Sequence, residues 1–112
     1  MKIEIPFNDW SRGRIEREKK FATTRSKQYG KAGDYFICNG KVCELEFVVK
    51  LPLWFISMHL YRTEGAESGK EFSDIWCEIH PRKSWESMLG QDYYYHFWSI
   101  LSDDEARFEG KL

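Results

Sequence analysis

The sequence predicts a single α+β domain, and three stretches carry that reading. Residues 93–101 read Tyr-Tyr-Tyr-His-Phe-Trp-Ser-Ile-Leu, apolar on both faces, as suits a strand lying centrally in a sheet or closing a barrel. Asn39-Gly40, set between two apolar runs, is a strong hairpin signal because both residue types tolerate positive φ. Behind Ser68, the residues Phe72, Ile75, Trp76 and Ile79 recur at helical spacing until Pro81 halts them. A chain of 112 residues suits one domain, and its five Trp, six Tyr and eight Phe supply a large apolar payload. Residues 1–101 are assigned to the domain and residues 102–112 to a charged C-terminal tail.

In chain order, Lys2 to Phe7 alternates polar and apolar residues (Ile3, Ile5, Phe7) and reads as a short strand. Asn8 or Asp9 is placed to cap a helix from about Trp10 to Glu18, with Trp10 and Ile15 as its anchors. Phe21-Ala22-Thr23-Thr24 favours an extended chain. Residues 35–49 form the hairpin; a two-residue turn pairs Cys38 with Lys41 and Phe36 with Cys43. Phe36, Cys38, Cys43, Leu45 and Phe47 then share one face. After Pro52, residues 53–62 read as an apolar helix carrying Trp54, Phe55, Met58 and Leu60. Ser68-Gly69-Lys70-Glu71 matches a capping box at the start of the next helix. Residues 82–92 read as a polar connection.

The net charge is -1, but residues 12–31 hold eight Lys or Arg against two Glu, a local charge of +6. A basic patch on a near-neutral domain suits an anionic ligand, nucleic acid included, better than a membrane. No apolar run approaches the ~18 residues of a membrane span, and no secretory signal is read. Three cysteines cannot form a complete disulfide framework, so reduced thiols and a cytoplasmic setting are expected. The hairpin points Cys38 and Cys43 toward the core, at wider spacing than a zinc knuckle uses. Cys77 of Cys77-x2-His80 lies well away from the apolar stripe of its helix, so no metal or other cofactor is expected. His59, His80 and His96 share no common spacing and receive no role.

The richest chemical stretch is Lys19-Lys20-Phe21-Ala22-Thr23-Thr24-Arg25, followed by Gly30-Lys31-Ala32-Gly33-Asp34. Lysines, hydroxyls and an arginine at this density equip a chain to hold a phosphate or polarise a carbonyl. Lys20 and Thr23 meet only if the strand is bent or irregular. Asp34 first serves its own turn.

From Trp10 to Trp98 the order of features resembles the ASCH domain family, a branch of the PUA-like β-barrels. The resemblance rests on Lys20-Phe21-Ala22-Thr23-Thr24-Arg25, Tyr29-Gly30-Lys31-Ala32-Gly33-Asp34, Leu51-Pro52-Leu53-Trp54, Glu64-Gly65, the Ser68-capped helix and the Tyr-rich final strand. It implies a small PUA-like mixed β-barrel with helices covering its ends and a cleft lined by the basic segment. It also implies a ligand, RNA or a nucleotide or nucleoside, held by Lys19, Arg25, Asp34 and an aromatic such as Trp54, Tyr61 or Tyr94. Some members resemble amidohydrolases of acetylcytidine; their Lys, Thr and Glu fall on Lys20, Thr23 and Glu64, with Glu67 a rival for the last. Metal-independent ribonuclease activity is the third function that the resemblance implies.

Overall fold

The computed structural model describes residues 1–112. The elements run α1 (Asp9–Glu16), β1 (Ala22–Arg25), β2 (Tyr35–Cys38), β3 (Lys41–Pro52), α2 (Leu53–His59), α3 (Gly69–Ile79), α4 (Trp85–Leu89), β4 (Asp92–Ile100) and α5 (Asp103–Phe108). The strands form one antiparallel sheet in the order β1-β4-β3-β2, curled into a half-barrel.

The aromatic strand lies inside the sheet because both of its faces have a core to enter. Tyr93 and Tyr95 pack with Leu53, Ile56, Phe72, Trp76 and Met88 on the side of α2, α3 and α4. Trp98, fully buried, packs on the other side with Ile5, Ile15, Phe36, Cys38, Cys43 and Leu45. Ile15 is the one fully buried residue of α1 and contributes about 1.5–3 kcal/mol. Eight residues are too few for a helix to persist alone, so this packing holds α1 in place, with the Asn8 side chain capping Ser11 N–H at 2.9 Å.

The hairpin forms as its turn requires, with Asn39 at φ 48° and Gly40 at φ 77°. Cys38 pairs with Lys41 and Phe36 with Cys43. Phe47 departs from the face it was expected to share. A β-bulge between Leu45 and Phe47 shifts the pairing, Leu45 with Trp98 and Phe47 with Phe97. One extra residue turns the alternation over, so Phe47 stacks on Phe97 at 5.3 Å on the opposite face and stays 43% exposed.

Three other expectations are corrected. Lys2 to Phe7 is no strand and makes one parallel bridge, Lys2 with Tyr35, because it passes the end of the sheet and has no neighbour to pair along its length. The helix after Pro52 stops at His59, where Leu60 N–H closes on Ile56 C=O and the chain turns through residues 60–66. The polar connection contains α4, capped by Ser84, because Met88 reaches the core. Residues 102–112 carry α5: Ser102 and Glu105 form a capping box, Ala106 is buried, and Lys111 pairs with Glu44.

At α3, Ser68 caps Glu71 N–H at 3.0 Å, but the Glu71 carboxylate accepts from Glu67 N–H and not from Ser68, so half of the expected box forms. Gly69 lies against α2; a Cβ there would sit 2.8 Å from Ser57 C=O.

Candidate functional site

β1 is an edge strand, and a cleft of about 600 Å³ runs along its open edge. One wall is the segment Pro6 to Ser11 with Tyr29; the other is α3, through Phe72, Ile75, Trp76, Ile79 and His80. Lys20, Thr23, Thr24, Arg25 and Glu64 lie between them. Lys20, Thr23, Thr24 and Glu64 are each 3–6% exposed, so the polar floor of the cleft is largely buried.

The turn after α2 delivers Glu64. Thr63 C=O accepts from both Phe21 N–H (2.6 Å) and Ala22 N–H (2.9 Å), fastening the turn to the start of β1. Gly65 adopts φ 94°, and a Cβ there would come within 3.0 Å of Arg14 and 3.2 Å of Lys20. That close approach lets Lys20 Nζ donate to Glu64 C=O at 3.0 Å and pair with Glu64 Oε1 at 3.4 Å. Thr24 Oγ1 donates to the other carboxylate oxygen at 2.6 Å. Burial pushes the Lys20 ammonium below its ordinary pKa, and the Glu64 charge offsets part of that shift.

Thr23 points to the other face of the sheet. Its hydroxyl accepts from Arg25 Nε at 3.2 Å, and its carbonyl lies 3.2 Å from His96 Nδ1. Arg25 donates from Nη2 to Pro6 C=O at 2.5 Å, lies over the rings of Phe7 and Tyr29, and has no carboxylate at ion-pair distance. His96 is fully buried: Nε2 accepts from Tyr29 N–H at 2.9 Å while Nδ1 faces the Thr23 and Tyr94 carbonyls. Those contacts require the neutral Nδ1–H ring, and burial holds its pKa below the usual histidine value.

The structure thus brings Lys20, Thr23, Arg25 and Glu64 to one cleft and leaves the other expected residues outside it. Asp34 closes its own turn, accepting from Lys31 N–H at 3.0 Å and pairing with Lys31 and the N-terminus. Lys19 is exposed beyond the cleft. Trp54 packs edge-on against Phe55 and, like Tyr61 and Tyr94, does not line it; Phe7, Trp10, Tyr29, Phe72 and Trp76 do. Glu67 does not line it either. Of the eight cations in residues 12–31, Lys20 and Arg25 reach the cleft; Arg14 is spent on Gly65 C=O, to which its Nε donates at 2.8 Å, and on Glu71, and the other five lie off the cleft. The cleft also holds Thr24, which lies in the predicted stretch but has no separate role in the sequence reading, and His80, which has none there. The doubled Thr was the available signal for the first; for the second, His80 sits one turn from Trp76 and stacks on it at 4.3 Å. No three His, Cys, Asp or Glu side chains converge as a metal site. No helix is long and apolar enough to cross a membrane.

No protein-family model matches the chain, and no curated protein matches its sequence. Among solved structures it is similar to an ASCH domain from Lactobacillus crispatus JV V101, at a TM-score of 0.58 and 14% identity. The match covers 88% of this chain and 77% of that one. With the half-barrel sheet, its covering helices and the cleft at β1 already described, this match leads to one conclusion: the chain has the fold of an ASCH domain.

Proposed function

We propose that the cleft binds a nucleobase, carried by a nucleoside, a nucleotide or an unpaired residue of RNA. The observation that carries this reading is a half-enclosed cleft with aromatic side chains on both walls and the uncompensated Arg25 guanidinium at its edge. Its volume lies in the range of small-molecule sites, and flat aromatic walls suit a planar heterocycle. Lys20 and Glu64 neutralise each other, so Arg25 is the cation free to meet a phosphate or carbonyl oxygen. Calorimetric titration with cytidine, its 5′-monophosphate and a short single-stranded RNA, at two salt concentrations, tests it. Binding is expected, with the phosphorylated ligands weakened by salt and about tenfold by Arg25→Gln. Equal affinity of both proteins for the monophosphate, or no binding at all, overturns this reading.

A second reading, amide hydrolysis of an acylated base such as acetylcytidine, is favoured by the Thr24 hydroxyl held on Glu64 beside Lys20. In it a threonine oxygen, or a water it positions, bonds to the amide carbonyl carbon while its proton passes to Glu64. Lys20 faces the developing oxyanion, the C–N bond breaks, and the amine leaves with the proton from Glu64. If threonine attacks, water then hydrolyses the resulting ester. Incubation with acetylcytidine, followed by chromatography, should show deacetylation that Lys20→Ala abolishes. Thr23→Val and Thr24→Val identify which hydroxyl acts; turnover surviving all three changes rules the assignment out. Ribonuclease activity has no comparable observation behind it.

A further inference from the structure

The strand edge facing the cleft has its own pattern of backbone groups, and register decides which of them are free. Trp98 N–H donates to Phe21 C=O at 2.9 Å, while Ala22 N–H turns away from β4 to Thr63 C=O at 2.9 Å. In an antiparallel pair the bonded residues alternate. With Ala22 opposite Phe97, Thr23 opposite His96 and Thr24 opposite Tyr95, the groups of Thr23 point into the sheet. Those of Thr24 point out along the open edge, into the cleft that Thr24 lines. Thr24 is 6% exposed, and an unpaired amide so enclosed costs about as much as a lost hydrogen bond until something takes it.

We infer that Thr24 N–H and C=O read the hydrogen-bonding edge of a planar heterocycle that enters the cleft edge-on and continues the plane of the sheet. The inference rests on the nucleobase reading above and adds to it the chemical class: a base with an acceptor and a donor on adjacent atoms, as in the edges of cytosine or uracil. The aromatic walls come from opposite faces of the sheet. Phe7 and Tyr29 belong to the Trp98 side, and Phe72 and Trp76 to the Tyr95 side. A ring lying in the sheet plane therefore meets one pair on each of its faces. An extended peptide is the other natural guest of a strand edge. It fits poorly, because Thr63 already occupies the Ala22 amide and leaves Thr24 as the one outward N–H of a four-residue strand.

The test uses the wild-type protein, labelled with ¹⁵N, and follows amide exchange residue by residue. Without ligand, Thr24 N–H should exchange fast and Thr23 N–H slowly. Saturating uridine or cytidine should slow Thr24 exchange about tenfold or more. 3-Methyluridine, whose edge donor is replaced by a methyl group, should bind at least about tenfold more weakly than uridine, and 5-methyluridine should bind as uridine does. Saturated nucleoside binding with Thr24 exchange unchanged, or equal affinity for 3-methyluridine, overturns the inference and leaves the nucleobase reading standing. No nucleoside binding overturns both. Protection of Thr24 by an extended peptide alone assigns the edge to strand addition and also overturns it.

Discussion

Glu64→Gln isolates the interaction that builds the cleft floor. The substitution keeps shape and an acceptor for the Thr24 hydroxyl but removes the charge facing Lys20. At 3.4 Å, with both side chains almost fully buried, the pair attracts by about 5 kcal/mol at an effective dielectric of about 20. Much of that attraction offsets desolvation, and breaking such a pair typically costs about 3–5 kcal/mol. The bond from Lys20 to Glu64 C=O survives, so the lower end, about 3 kcal/mol, is expected. A domain of this size has about 5–15 kcal/mol of stability, so the variant should still fold. Urea unfolding followed by tryptophan fluorescence measures the loss. The pH dependence adds a second readout. Burial already lowers the Lys20 pKa, and losing Glu64 lowers it further. The unfolded chain then binds more protons than the folded one between the folded value and about 10.4, and the variant gains on wild type as pH rises through that window. Adding Lys20→Met should recover part of the loss. A cost below about 1 kcal/mol at pH 7, with no recovery in the double variant, would refute the buried-pair account.

Three further outcomes are expected. His96 has a depressed folded pKa, so its contribution is complete above its unfolded value near 6.5 and is lost as pH falls below it; unfolding free energies at pH 7 and 5.5 should show this decline, and His96→Gln should flatten it. Burial raises the Cys38 thiol pKa and pushes Cys43 up to about 12, so a thiol reagent at pH 8 should label Cys77 in the folded protein and all three cysteines in urea. Gly69→Ala should destabilise by about 1–3 kcal/mol in the same urea assay, against the helix-propensity gain, because its Cβ would meet Ser57 C=O at 2.8 Å.

Patterns local to the chain were legible in the sequence. Asn39-Gly40 specifies a turn by itself, the two-faced strand at residues 93–101 demands neighbours on both sides, and Asn8 and Ser68 cap the helices expected of them. Phe47 lies on the face opposite to the one its spacing predicts, because alternation says nothing of an extra residue within β3 itself. In residues 102–112 the sequence shows charge but not packing, because Ala106 and Lys111 find their partners only in the folded domain. At the site, Lys20, Thr23 and Arg25 are close in sequence, and Glu64 is added by a turn that Gly65 makes possible. Trp54, Lys19 and Asp34 carry suitable chemistry, but which side of an element faces a cleft is decided by packing. Thr24 gains its meaning from being on an edge strand with a particular bonding parity, a property of the pairing rather than of the residue.

The nucleobase site is tested most directly by mapping chemical shifts while a ¹⁵N-labelled sample is titrated with cytidine and acetylcytidine. The account expects saturable changes at Thr23, Thr24, Arg25, Tyr29, Glu64 and the cleft face of α3, with Lys19, Asp34 and Trp54 unmoved. No change at millimolar nucleoside, or changes centred on Trp54 or Asp34, would contradict it.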